Sequence, residues 1–82
     1  MELVEKVRRI LTLEFPPPAI ITLDGEGGIV GSVVSSRFEG METIDRIRLI
    51  RETLKNNLAP EERGRVLAIA AATPEDEIAL TS

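Results

Sequence analysis

The chain has 82 residues, of which 43% are hydrophobic and 29% charged, enough for one small core and outside the low-hydrophobicity, high-charge range of disordered chains. It contains neither Cys nor His, which excludes disulfides, thiol nucleophiles, imidazole bases and the usual protein ligands of zinc, copper and iron–sulfur clusters. The net charge of −4 at pH 7 argues against a dominant electrostatic footprint for nucleic acid.

From Glu2 to Leu13, the apolar residues Leu3, Val4, Val7, Ile10 and Leu11 recur at helical spacing and predict a first amphipathic helix. Pro16, Pro17 and Pro18 cannot continue it and make a stiff connector. Ala19 to Asp24 and Ile29 to Ser36 are β-rich, and Gly25-Glu26-Gly27-Gly28 between them supplies turn residues, so a hairpin is expected. Arg37-Phe38-Glu39-Gly40 breaks the strand pattern, and a second helix opens at Glu42 or Thr43 and runs to about Leu58. On this helix Ile44, Ile47, Ile50, Leu54 and Leu58 fall within an arc of about 120° and are expected to face the core, with Leu49 roughly opposite. Ala59-Pro60-Glu61-Glu62 reads as a short third helix ended by Gly64, and Val66 to Ala72 as a final strand. Thr73-Pro74-Glu75-Asp76-Glu77 resembles a cap and helical start.

The order α-β-β-α-α-β in a single domain, residues 1–82, is satisfied by an α+β two-layer arrangement in which a three-stranded mixed sheet carries the helices on one face. The absence of Cys, of a signal or transit peptide after Met1, and of any uncharged run longer than Gly27 to Ser36 leads to the expectation of a cytoplasmic protein that does not enter membranes. Adjacent acids such as Glu61-Glu62 and Glu75-Asp76 do not face each other on a helix, and no Ser stands in a nucleophile setting, so no enzyme is expected.

The stretch Val33 to Leu54, VVSSRFEGMETIDRIRLIRETL, resembles the central signature of the BolA-like family: a strand ending Val-Val-Ser, a Phe-x-Gly turn, and a helix with an Arg-x-Arg-Leu-Ile/Val core. Leu67-Ala68-Ile69 and Thr73-Pro74-Glu75 are similar to that family's last strand and its Thr-Pro-Glu ending. The resemblance covers nearly the whole chain and implies a class II KH-like fold. It further implies partnership with monothiol glutaredoxins in iron–sulfur cluster handling, and, in some members, stress-linked transcription regulation. By this resemblance Phe38, Gly40, Arg46, Leu49 and Arg65 are the candidate partner-binding residues, Arg46 being an alternative organiser of the Phe38-Glu39-Gly40 turn and Phe38 a packing anchor.

The sequence departs from the family at its metal-binding positions. The His placed before the last strand falls at Arg65, whose guanidinium has no lone pair for iron. The hairpin position of the second ligand offers only Asp24 and Glu26, hard carboxylates unsuited to such a cluster. The family aromatic after Thr-Pro-Glu is replaced by Asp76 and Glu77. No cofactor is expected on this chain alone, and an iron–sulfur cluster shared with a partner is the alternative that the resemblance leaves open.

Two patterns bear on nucleic acid, the alternative partner. Gly25-Glu26-Gly27-Gly28 spells Gly-x-x-Gly, but a KH domain needs that loop between two helices, where this chain has Asn56-Asn57-Leu58-Ala59-Pro60. Arg48, Arg51 and Lys55 line one edge of the second helix, either as a basic strip for an anion or as a solvated face neutralised by Asp45 and Glu52. The oligomeric expectation is a monomer or a homodimer built through the open sheet.

Overall fold

The computed structural model describes residues 2–76. Helix α1 (Leu3–Glu14) is followed by β1 (Ile20–Asp24), β2 (Ile29–Val34), a single 3₁₀ turn at Ser36–Phe38, α2 (Thr43–Lys55), α3 (Pro60–Arg63) and β3 (Val66–Ala72). The predicted order is therefore the observed one, and Glu77 of the predicted last cap lies outside the described residues.

The local chemistry sets the boundaries. Helix α1 ends against the prolines, with the Phe15 N–H donating to the Leu11 carbonyl at 2.7 Å. In the hairpin turn the Asp24 carboxylate accepts the Glu26 N–H at 3.0 Å, and Gly27 and Gly28 take positive φ, 73° and 124°, which side-chain-bearing residues rarely adopt. Strand β2 stops at Val34, two residues short of the predicted end, because the Ser35 hydroxyl accepts the Arg37 N–H at 3.1 Å and bends the chain into the 3₁₀ turn. Helix α2 stops at Lys55 instead of running to Leu58. Its last turn tightens as Asn57 N–H donates to Leu54 O, and Ala59 is held extended by the proline that follows.

Strands β1 and β2 pair antiparallel, Ile20 opposite Val34 through Asp24 opposite Val30. Strands β2 and β3 pair parallel, with α2 and α3 forming the crossover, and the register slips by one residue between Ile29 and Val30. The sheet order is β1-β2-β3, which leaves β3 on an edge among the described residues. Both long helices lie on one face. The buried cluster consists of Val7, Leu11, Phe15, Ile29, Val33, Phe38, Ile50, Leu54 and Leu58. The chain's two aromatic residues meet inside it, ring centroids 5.1 Å apart and tilted by 45°.

The predicted phase of α2 needs correction. Ile50, Leu54 and Leu58 are buried as expected, but Ile44 is 61% and Ile47 38% exposed, while Leu49 is half-buried against the core. The helix is rotated so that Arg46, Leu49 and Thr53 flank Ile50 and Leu54 on the inner side. At 100° per residue this turns Ile44 and Ile47 outward, onto the same side as Arg48, Arg51 and Lys55. The physical reason lies in Arg46, whose side chain is only 16% exposed and is drawn inward by partners described below.

Candidate functional site

The Phe-x-Gly corner is a junction of three segments. Phe38 is completely buried against Phe15, so its ring packs the corner and has no surface to offer a partner. Arg37 lies over the other ring, 5.1 Å from the Phe15 centroid, and pairs with the Glu14 carboxylate at 2.8 Å. Gly40, at φ 78°, turns the chain into α2. The Arg46 Nε–H then donates to the Met41 carbonyl at 3.0 Å, while the guanidinium reaches Asp76 Oδ2 at 2.9 Å. Asp76 is itself part of a reciprocal cap: Oδ2 accepts the Thr73 N–H, and its own N–H donates to the Thr73 hydroxyl, both at 3.1 Å. Arg46 thus joins the entry of α2 to the exit of β3.

Arg65 belongs to the other end of the molecule. Its carbonyl accepts the Ile29 N–H at 2.8 Å, which sets it beside the hairpin turn, and its exposed side chain borders a shallow depression with Glu2, Lys6, Glu61 and Glu62. Thr73, by contrast, follows the far end of β3, roughly 25 Å away along the strand. The candidate partner-binding residues are therefore divided: Phe38, Gly40 and Arg46 at one end, Arg65 at the other, and Leu49 against the core.

The turn and Arg65 do sit together, as a two-point ligand site would require, but their chemistry does not fit a cluster. Arg65 has no lone pair to give, and Asp24 already spends an oxygen on the Glu26 N–H. Among the described residues no three His, Cys, Asp or Glu side chains are grouped to hold a metal ion.

Two carboxylates are tuned by their surroundings. Asp76 is held below its ordinary value by the Thr73 backbone N–H first, then by Arg46 and the Thr73 hydroxyl. Glu62 is lowered by the Ala59 N–H, on which it closes from 2.9 Å, and by the Lys6 ammonium at 3.0 Å. Ala59 has no hydroxyl, so only this half of a capping box exists. Both groups regain their ordinary pKa on unfolding, so the folded chain binds fewer protons than the unfolded one in the acid range. The stability they confer is complete above about pH 4.5 and is lost as pH falls through their lowered values. Urea titrations between pH 6 and 2.5 are expected to show this decline, and Asp76→Asn to make it shallower.

The basic strip has a context that sequence reading missed. Arg51 and Lys55, with Glu52, Leu54, Arg63 and Val66, border an open depression of about 370 Å³. It continues past Arg51, Leu54 and Val66 into a second hollow of about 280 Å³, walled by Ile47 and Ile50 on α2 and by Leu67, Ala68 and Ile69 on β3. The trough so formed runs between α2 and the edge of the sheet. Arg48 stands just outside it, 3.7 Å from Asp45. The signal available in the sequence was that Ile44, Ile47, Arg48, Arg51 and Lys55 share one helical arc, which marks a mixed apolar and basic surface.

No helix among the described residues is long and apolar enough to cross a membrane. No protein-family model matches the chain, and no curated protein sequence does. Solved structures do. BolA1 from Arabidopsis thaliana superposes with a TM-score of 0.70 over 93% of this chain and 96% of its own, at 22% identity. The BolA domain of SufE1 from the same plant gives 0.72, with the same coverages and 24% identity. A Bol-like protein from Babesia bovis gives 0.75 over 100% of this chain and 96% of its own, at 21% identity. The mixed three-stranded sheet with its helices on one side is the fold of the BolA proteins.

Proposed function

We propose that this chain is a BolA-like adaptor, without catalytic activity, that docks onto a monothiol glutaredoxin or a related iron–sulfur assembly partner and supplies no ligand to the partner's cluster. In this reading it serves iron–sulfur cluster handling and stress response in the cytoplasm. The observation that carries the reading is the BolA fold over the chain, with Arg65 and the hairpin turn brought to one end where the resemblance calls for a ligating His. A neighbour that is a BolA domain within SufE1 is consistent with a module that works through other proteins.

The test is to mix the purified chain with a cluster-loaded monothiol glutaredoxin and follow size-exclusion elution and the visible spectrum. Co-elution with the glutaredoxin's own cluster spectrum is expected. Arg65→His, which introduces an imidazole where the ligand belongs, should alter that spectrum. Failure to co-elute would overturn the docking, and an unchanged spectrum in Arg65→His would overturn the placement of the ligand position.

The second reading, a KH-like nucleic-acid-binding regulator, draws on Arg51, Lys55 and Arg63 around the trough. It lacks stacking surfaces, since Phe15 and Phe38 are buried. Its signature would be oligonucleotide binding that weakens steeply with salt.

A further inference from the structure

Strand β3 has a neighbour on one side only among the described residues. In a parallel ladder alternate residues direct both backbone groups to the same neighbour. The Ala72 carbonyl accepts the Ser35 N–H, and Ala68 and Ala70 stand opposite Val30 and Ser32, so these alanines serve β2. Ile69 and Ala71 therefore turn their N–H and C=O groups outward along the edge. Such an edge is a template for another strand unless something blunts it. No proline or charged residue interrupts Val66–Ala72.

The trough lies directly along this edge. Ile47 and Leu54 give it an apolar wall, and Arg51, Lys55 and Arg63 set three cations around it against one acid, Glu52. On a chain whose net charge is −4, that local reversal of sign selects for an anionic occupant. The outer face of the sheet beside the edge carries Ala68 and Ala70, which leave room for β-branched side chains.

We propose that this trough takes an extended acidic segment of a protein partner, which adds to β3 as a fourth strand. Its backbone would bond to Ile69 and Ala71, its acids would face Arg51, Lys55 and Arg63, and its alternate apolar side chains would lie over Ala68 and Ala70. The trough begins at Arg63 and Val66, next to Arg65 in the chain, but the Arg65 side chain borders the other depression with Glu2 and Lys6, so the proposal does not depend on a glutaredoxin partner. Peptide is favoured over single-stranded nucleic acid because the trough walls are aliphatic and carry no exposed ring on which a base could stack.

The probe is the capped peptide Glu-Val-Glu-Val-Glu-Val-Glu, titrated into isotope-labelled protein and read by NMR. Shift changes are expected along β3 and the Ile47–Lys55 side of α2, with slowed hydrogen exchange at Ile69 and Ala71. Arg51 and Lys55 are exposed, so the double reversal Arg51→Glu with Lys55→Glu should keep the circular dichroism spectrum and weaken the peptide about tenfold or more. The lysine counterpart, Lys-Val-Lys-Val-Lys-Val-Lys, should not bind. The proposal is overturned if the acidic peptide produces no shifts at about 1 mM, if the reversal leaves its affinity unchanged, if the shifts fall away from β3, or if an oligonucleotide occupies the trough and the peptide does not.

Discussion

Phe38→Ala is expected to cost about 3–5 kcal/mol of folding stability. A domain of this size holds on the order of 5 kcal/mol in total, so most of the variant should be unfolded or close to it at 25 °C. The size of the effect follows from the location. Phe38 is fully buried, its ring meets Phe15 at 5.1 Å, and the 3₁₀ turn that carries it is anchored by Ser35 on one side and Gly40 on the other. A cavity there cannot collapse easily, because the turn is pinned to β3 through the Ser35 N–H and the Ala72 carbonyl. Urea denaturation followed by far-ultraviolet circular dichroism measures it, the chain having no Trp or Tyr. Phe38→Leu should retain most of the stability, losing about 1.5 kcal/mol or less. A loss below about 1 kcal/mol in Phe38→Ala would contradict the packing described.

Arg46→Met is expected to cost about 2 kcal/mol, near the middle of the range for hydrogen bonds to charged groups. Methionine keeps the aliphatic stem that runs along α2 but gives up both the Met41 carbonyl and Asp76. The loss should appear as a fall in Tm of roughly 8–16 °C for a domain of this size. Because Asp76 also loses a cation, the variant should have a shallower acid limb than the parent, which separates this contact from simple repacking. In a double-mutant cycle with Asp76→Asn the two losses should not add. Full additivity would mean that the guanidinium and the carboxylate do not act together.

The order of elements was legible in the sequence because each carries its own period or breaker: helical spacing in α1, three prolines after it, glycines at the hairpin, and an apolar run bounded by Gly64 and Pro74. The phase of α2 was not. Ile44 and Ile47 are apolar and Arg46 is charged, so composition alone places the isoleucines inside and the arginine out. The structure reverses this because Arg46 finds Asp76 thirty positions later, a partner that no local window contains. Phe38 was legible as a packing anchor, and Arg46 as the residue that organises the corner. The trough was not, since it exists only once β3 has been laid beside α2 and Arg63 has been carried round by α3. The separation of Arg65 from the Phe38 corner likewise depends on the parallel register of β2 and β3.

That parallel pairing has a kinetic consequence. The hairpin can zip from its glycine turn with little loop entropy to overcome, whereas β3 can meet β2 only after the whole connection from Ser35 to Arg65 has been closed. Joining the last strand is thus the step expected to limit the folding rate, so substitutions that weaken the pairing of β3 with β2, like those in the hairpin on which it docks, should slow the approach to the native state.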